Sequence, residues 1–131
     1  MEVRIHTLQT VNDLPFGASV EDGEACLGPA DQRMFNYTGE LEVRHGETIY
    51  RFEEDRFVEA TFPAQGPFAC QFVIDGVHVL DVYQWLGNFN HVDAAKFRIS
   101  LAHGIAYDHR FAERGSVTIF EAGRWDALIN G

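Results

Sequence analysis

Lysine is nearly absent from this 131-residue chain. Lys96 is the only one, and ten basic side chains against 20 acidic give a formal charge of −10. With no cluster of basic residues to offset that balance, a phosphate backbone would be repelled, which argues against nucleic-acid binding. Long apolar runs are also missing. Nothing approaches the roughly 20 residues of a membrane span, so no membrane partner is expected. The first residues, Met-Glu-Val-Arg-Ile-His-Thr-Leu-Gln, lack the apolar stretch and small-residue cleavage site of a secretory signal, which predicts a cytoplasmic protein. Cysteine is scarce. Cys26 and Cys70 are too few for a disulfide framework and are not spaced as metal ligands. Both read as small buried hydrophobes in a reducing compartment, with a single disulfide between them left open.

What is present is a globular composition. Hydrophobic residues make up 46% of the chain and 11 of its residues are Phe, enough for one ordinary domain to build a core. The acidity suits solubility, and it would also steer a basic protein partner.

Short motifs recur in order along the chain. Gly17, Asp22 and Leu27-Gly28 have counterparts 59 positions later in Gly76, Asp81 and Leu86-Gly87. His45-Gly46 returns 58 positions on as His103-Gly104. Phe52-Glu53 with Arg56-Phe57 returns 68 positions on as Phe120-Glu121 with Arg124-Trp125. The jump from 58 to 68 places an insertion between His103-Gly104 and Phe120. The predicted organisation is one domain over 1–131, with repeat 1 at about 11–63, a linker at about 63–69 and repeat 2 at about 70–130.

Local patterns fill in those units. Residues 3–8 alternate weakly and suggest an edge strand or arm. Ser19 is a good N-cap, Asp22 a capping-box-like partner, and Gly28-Pro29 a stop, predicting a short helix over Val20–Leu27 that Gly23 weakens. From Glu40 the period becomes two. Strands are predicted through Val43, over Thr48–Glu53 and over Arg56–Phe62, with 33–37 as a further strand. The second unit predicts an extended Cys70–Ile74, a turn at Asp75-Gly76 and a helix over Leu80–Leu86 capped by His78 or Asp81. A strand over Phe97–Ala102 follows, and then a closing hairpin of Val117–Glu121 and Arg124–Ile129. The fold class expected is α+β: two tandem repeats, each a short helical segment plus an antiparallel meander. Helices would cover one sheet face and leave the other open.

Phe16-Gly17, Ser19, Leu27-Gly28-Pro29 and the strands from Tyr50 to Phe62 together resemble one repeat of the β-lactamase inhibitor protein fold. They are similar as well to the small outer-membrane lipoprotein domains used in envelope assembly. The second copy, Gly76 to Ile129, lacks a proline after Leu86-Gly87. The resemblance implies a tandem helix-plus-sheet scaffold with a concave sheet face. It also implies protein–protein inhibition or immunity against a toxin, without a cofactor. Exported members of that group carry a signal that this sequence does not show.

The segment 105–115 is the first functional candidate. It gathers Tyr107, Asp108, His109, Arg110, Phe111 and Arg114, and tyrosine and arginine dominate binding hot spots because they bury large areas while keeping a polar handle. Tyr107, His109, Arg110, Phe111 and Arg114 are the predicted binding residues, with Tyr107, Arg110 and Phe111 as anchors. A longer hairpin whose aromatics fill the core explains the same residues. Tyr83, Trp85 and Phe89 cluster at the second helix stop and are expected to pack in the core. Six histidines invite a metal, but no ligand motif is present, and none is assigned. Glu53-Glu54-Asp55 reads as a solvated turn. No nucleophile elbow, phosphate-cradling glycine loop or dinucleotide fingerprint occurs, so the sequence leans against an enzyme. The alternative is a small enzyme or ligand-binding domain whose helix/sheet pocket uses His103 or His109, and a third reading is a homodimer through strand edges.

Overall fold

Val3 and Ile5 alternate with exposed neighbours along the first strand, β1 (Glu2–His6), and this period of two fixes which side of the strand meets the core. A computed structural model describes residues 1–109 and 115–130. After β1 come β2 (Thr10–Val11), β3 (Leu14–Pro15), helix α1 (Val20–Leu27) and a meander of β4 (Gln32–Phe35), β5 (Leu41–His45), β6 (Thr48–Glu53) and β7 (Arg56–Pro63). The second half runs β8 (Gln71–Ile74), β9 (Val77–Val79), α2 (Val82–Leu86), β10 (Val92–Ala94), β11 (Phe97–Ser100), β12 (Ile105–Asp108), β13 (Ser116–Phe120) and α3 (Asp126–Asn130). The architecture is α+β, mostly antiparallel sheet with few helices. Among the described residues no helix is long and apolar enough to cross a membrane.

Two sheets result, in the orders β3-β2-β1-β8-β9 and β10-β11-β12-β13-β7-β6-β5-β4. The larger is antiparallel throughout, and its two meanders join where β7 meets β13, Phe62 opposite Val117 and Ala60 opposite Ile119. The smaller joins the halves by a parallel pairing of β1 with β8, Val3 opposite Phe72 and Ile5 opposite Ile74. The segment expected as an edge or arm is therefore a central strand. Its alternation looks weak because the polar positions face water while only two residues face inward.

The core lies between the sheets. Val3, Ile5, Leu14, Phe72 and Ile74 of the small sheet meet Tyr50, Phe52, Phe57, Phe62, Ile105 and Val117 of the large one, with Val82 and Leu86 of α2 closing one end. Helix α1 has the predicted bounds. Ser19 accepts from the Asp22 amide at 3.1 Å, and Gly28 ends the helix at φ +86°. Gly23 is the buried residue of this helix, and a Cβ there would stand 3.0 Å from Phe52 Cζ. Glycine lets the helix approach the sheet.

Several expectations are corrected. Helix α2 starts at Val82 with Asp81 as its cap, and Leu80 lies outside it, fully exposed. Arg124–Ile129 is not the second arm of a hairpin: the chain turns and forms α3. Both sides of β13 are already paired, with β12 and β7, so no edge remains for a further strand. Trp125 instead stacks on Phe120, with centroids 4.8 Å apart, and packs with Ile129 over Phe97 and Ile99. Helices thus cover both faces, α1 and α2 on the inner side and α3 on the outer side over β10–β13. Cys26 is exposed, its thiol directed to the Asn12 carbonyl, while Cys70 is buried; both are free.

The recurring motifs coincide in part. His45-Gly46 and His103-Gly104 occupy the same turn of each meander, with Gly46 at φ +60° and Gly104 at φ +64°. Leu27-Gly28 and Leu86-Gly87 both end helices. Phe52-Glu53 ends the third strand of its meander, whereas Phe120 ends the fourth and Glu121 follows it.

Candidate protein-binding surface

The linker 63–69 packs beside the foot of the β12–β13 connection. The Ala64 amide donates to the Gly115 carbonyl at 2.8 Å, and the Cys70 amide returns to the Pro63 carbonyl at 2.9 Å. Pro63 is the last residue of β7, and Gly66 and Pro67 keep the stretch that follows out of the sheet. Pro67 and Phe68 consequently stand as a ridge, and the Phe68 side chain is 64% exposed. On one side lies an open depression of about 510 Å³ lined by Thr61, Gln65, Phe68, Gly115 and Ser116. On the other lies one of about 360 Å³ lined by Met1, His45, Thr48, Phe68 and Cys70. Glu47, Pro63 and Pro67 border both. Two smaller hollows, of about 310 and 210 Å³, continue around Cys70 and Phe72 toward exposed Leu80.

The lining at this end mixes apolar side chains with Thr48, Thr61, Gln65 and Ser116, and Glu47 borders the two larger depressions. Burial pushes the Cys70 thiol up, away from a reactive thiolate. Burial also holds His45 below its ordinary value, with Asp31 opposing, so its ring is biased to the neutral form where it meets Tyr50 edge-on.

Tyr107 is buried, on the inner face of β12. Its hydroxyl accepts from Gln65 Nε2 at 3.0 Å, and burial raises its pKa. It packs against Tyr83, which His109 meets edge-on at 5.5 Å and Arg98 covers at 3.9 Å. Of the predicted site residues, Tyr107 is thus a core residue holding the linker, and His109 is exposed beside it. Arg110, Phe111 and Arg114 lie outside the described residues. Trp85, Phe89 and His103 form a separate packed triangle, in which His103 Nδ1 lies 2.7 Å from the buried Ser100 hydroxyl. None of the four hollows is lined by His103 or His109. Among the described residues no group of His, Cys, Asp and Glu could hold a metal ion.

The outer face of β5–β7 carries a charged row. Arg51 donates to Glu42, Glu59 and Thr61, and Thr61 bonds Thr118 across the meander junction. Arg124 reaches Glu40, Glu53 and Glu59. Burial would raise the Glu40 carboxyl, but the hydrogen bonds from Arg124 and Asn36 outweigh it and hold the group low. These side chains satisfy one another, so the row is a structural clamp.

Sequence reasoning missed Phe68. Its signal was legible: an aromatic in a Pro/Gly-rich connection has no core role to play there. Against protein-family models, curated proteins and solved structures alike, the chain has no match.

Proposed function

We propose that the protein is a cofactor-free protein-binding module of the inhibitor or immunity type, acting in the cytoplasm. Its contact surface comprises the Pro67-Phe68 ridge and the part of the 105–115 segment that follows β12. The observation that carries this reading is the ridge itself: an exposed aromatic, preceded by a proline and bordered by two open depressions, beside the foot of the connection. Rigid aromatic anchors beside shallow hollows suit a protein surface better than an enclosed small molecule. The formal charge of −10 favours a basic partner through long-range attraction.

The same reading takes the chain as two diverged tandem units sharing one core. Support comes from the helix-then-meander order in each half and from the matched His-Gly turns. The β12–β13 connection is also longer than the two-residue turn between β6 and β7.

The test is affinity capture from the native host with wild-type protein beside Phe68→Ala and a combined Arg110→Ala/Phe111→Ala/Arg114→Ala variant. One stoichiometric partner held by wild type and lost with either variant, at unchanged melting temperature, is the expected result. No partner with wild type, or one held equally by all three proteins, would remove the proposal.

A further inference from the structure

Strand β4 is one margin of the eight-stranded sheet, and all four of its residues are exposed. One side pairs with β5; the other offers its backbone to solvent. Met34, Phe35 and the following Tyr37 are exposed at 46%, 71% and 101%. Natural sheet edges are usually blunted by lysine, proline or a bulge. Gln32–Phe35 contains none of these, and its one charged side chain, Arg33, is paired with Glu24 of α1. The ladder alternation follows from the Asn36 amide, which donates to the Glu40 carbonyl at 2.9 Å in the register that sets Met34 opposite Glu42. Alternate positions bond inward, so the amides and carbonyls of Arg33 and Phe35 point away from β5.

We propose that β4 pairs antiparallel with β4 of a second copy about a twofold axis at Met34, joining two eight-stranded sheets into one. A twofold axis normal to the sheet keeps each side chain on its own face, so only positions of equal parity can pair. Centred on Met34, it sets Arg33 opposite the second copy's Phe35 twice. Every outward-facing amide and carbonyl of the strand is then used, and a guanidinium lies beside a ring. Gln32 meets Asn36, amide to amide. Centring on Arg33 would oppose two guanidiniums and would recruit Asp31, whose amide already donates to the Arg44 carbonyl at 2.8 Å. Centring on Phe35 would recruit Tyr37, which lies in a turn.

Charge agrees with this choice of surface. Residues 32–37 hold one arginine and no acid, so two copies of formal charge −10 meet there without opposing carboxylates. The opposite margin, β10, is three residues long with Asp93 held by Arg98, and pairing β4 to it would generate an open chain of molecules where self-pairing closes. The contact is small and belongs with weak interfaces. Since like net charges repel, salt strengthens it.

Sedimentation of the full chain between roughly 1 µM and 1 mM reads this directly. Wild type is expected to shift toward twice the chain mass, further at raised salt. Met34→Lys, which opposes two ammonium groups at the axis on an already exposed side chain, is expected to remain monomeric at an unchanged melting temperature. Register is read by cross-linking in a Cys26→Ser background. Met34→Cys faces itself across a non-hydrogen-bonded pair, with Cβ atoms about 4.5–5.5 Å apart, near disulfide reach, and forms a covalent dimer on mild oxidation. Gln32→Cys, opposite Asn36, does not. A monomeric wild type throughout, a dimer untouched by Met34→Lys, or equal cross-linking by the two cysteine variants overturns the proposal. Partner capture by the ridge is unaffected by any of these outcomes.

Discussion

Arg124 Nε donates to Glu59 Oε1 at 3.1 Å, tying the turn after the last strand to β7, the closing strand of the first meander. Glu59 is 8% exposed and also accepts from Arg51 and from Trp125 Nε1, so its charge is fully partnered. The guanidinium bridges it to Glu40 and Glu53. The sheet's two halves are therefore clamped on their outer face as well as packed on their inner one.

Removing that bridge is the first prediction. Arg124→Met leaves Glu59 with two partners but strips Glu40 of its main one, and should cost about 1–3 kcal/mol. Stability against urea at neutral pH measures it. The pH dependence carries the mechanism. Glu40 has a folded pKa held below its ordinary value, so its contribution is present above about pH 4.5 and is lost as pH falls through the folded value. The variant should show a shallower loss of stability between about pH 5 and 3; an unchanged acid limb would mean the bridge is not felt by Glu40.

The His-Gly turn of the second meander gives a sharper mutational contrast. Gly104 has φ +64°, and a Cβ there would stand 2.6 Å from the Phe120 carbonyl oxygen and 2.7 Å from Leu8 Cδ2. Gly39, at φ +86°, would meet nothing within 4 Å. Gly39→Ala should cost only backbone strain, about 1 kcal/mol, and Gly104→Ala at least about 2–3 kcal/mol, because backbone must move. Thermal melts of the two variants side by side decide it, and equal losses would rule out the close contact.

Helix α1 and the first meander were legible because their signals are local: a Ser19 cap, a Gly28 stop and strands of period two between short turns. What stayed hidden depends on partners distant in sequence. β1 has a weak alternation of its own, and only the parallel pairing with β8, 69 positions away, makes it central. Residues 124–129 read as a strand until both sides of β13 are known to be occupied. Tyr107 looked like a contact anchor because its composition suits one, yet the linker folds over it and Gln65 takes its hydroxyl. Gly23, read as a weakness in the helix, is the close approach to Phe52.

Tyr107 accordingly separates folding from recognition. Tyr107→Ala should destabilise by about 3–5 kcal/mol through the void it leaves, and Tyr107→Phe by about 1 kcal/mol through the lost Gln65 bond. Chemical denaturation of both variants checks the ratio. A fully stable Tyr107→Ala would return this residue to the surface.

His45 should make stability fall on mild acidification. Its folded pKa is depressed by burial, so the unfolded chain takes up the proton first as pH drops below about 6.5. Stability is greatest above that value and declines toward the folded pKa. His45→Gln, which does not titrate, should flatten the dependence between about pH 7 and 5.5 in urea titrations, and an unaltered slope would assign the effect elsewhere.

The two thiols should differ in reactivity by more than exposure alone would give. Cys26 is exposed on α1, whereas Cys70 is buried under the Phe68 ridge with its pKa raised by that burial. The thiolate is the reacting species, so a maleimide at neutral pH should add once, at Cys26, on a timescale of minutes. Cys70 should react only as the linker opens, and Phe68→Ala should speed that step by removing part of the cover. Intact-mass time courses resolve the two additions, and simultaneous labelling of both cysteines in wild type would mean the linker does not cover Cys70 in solution.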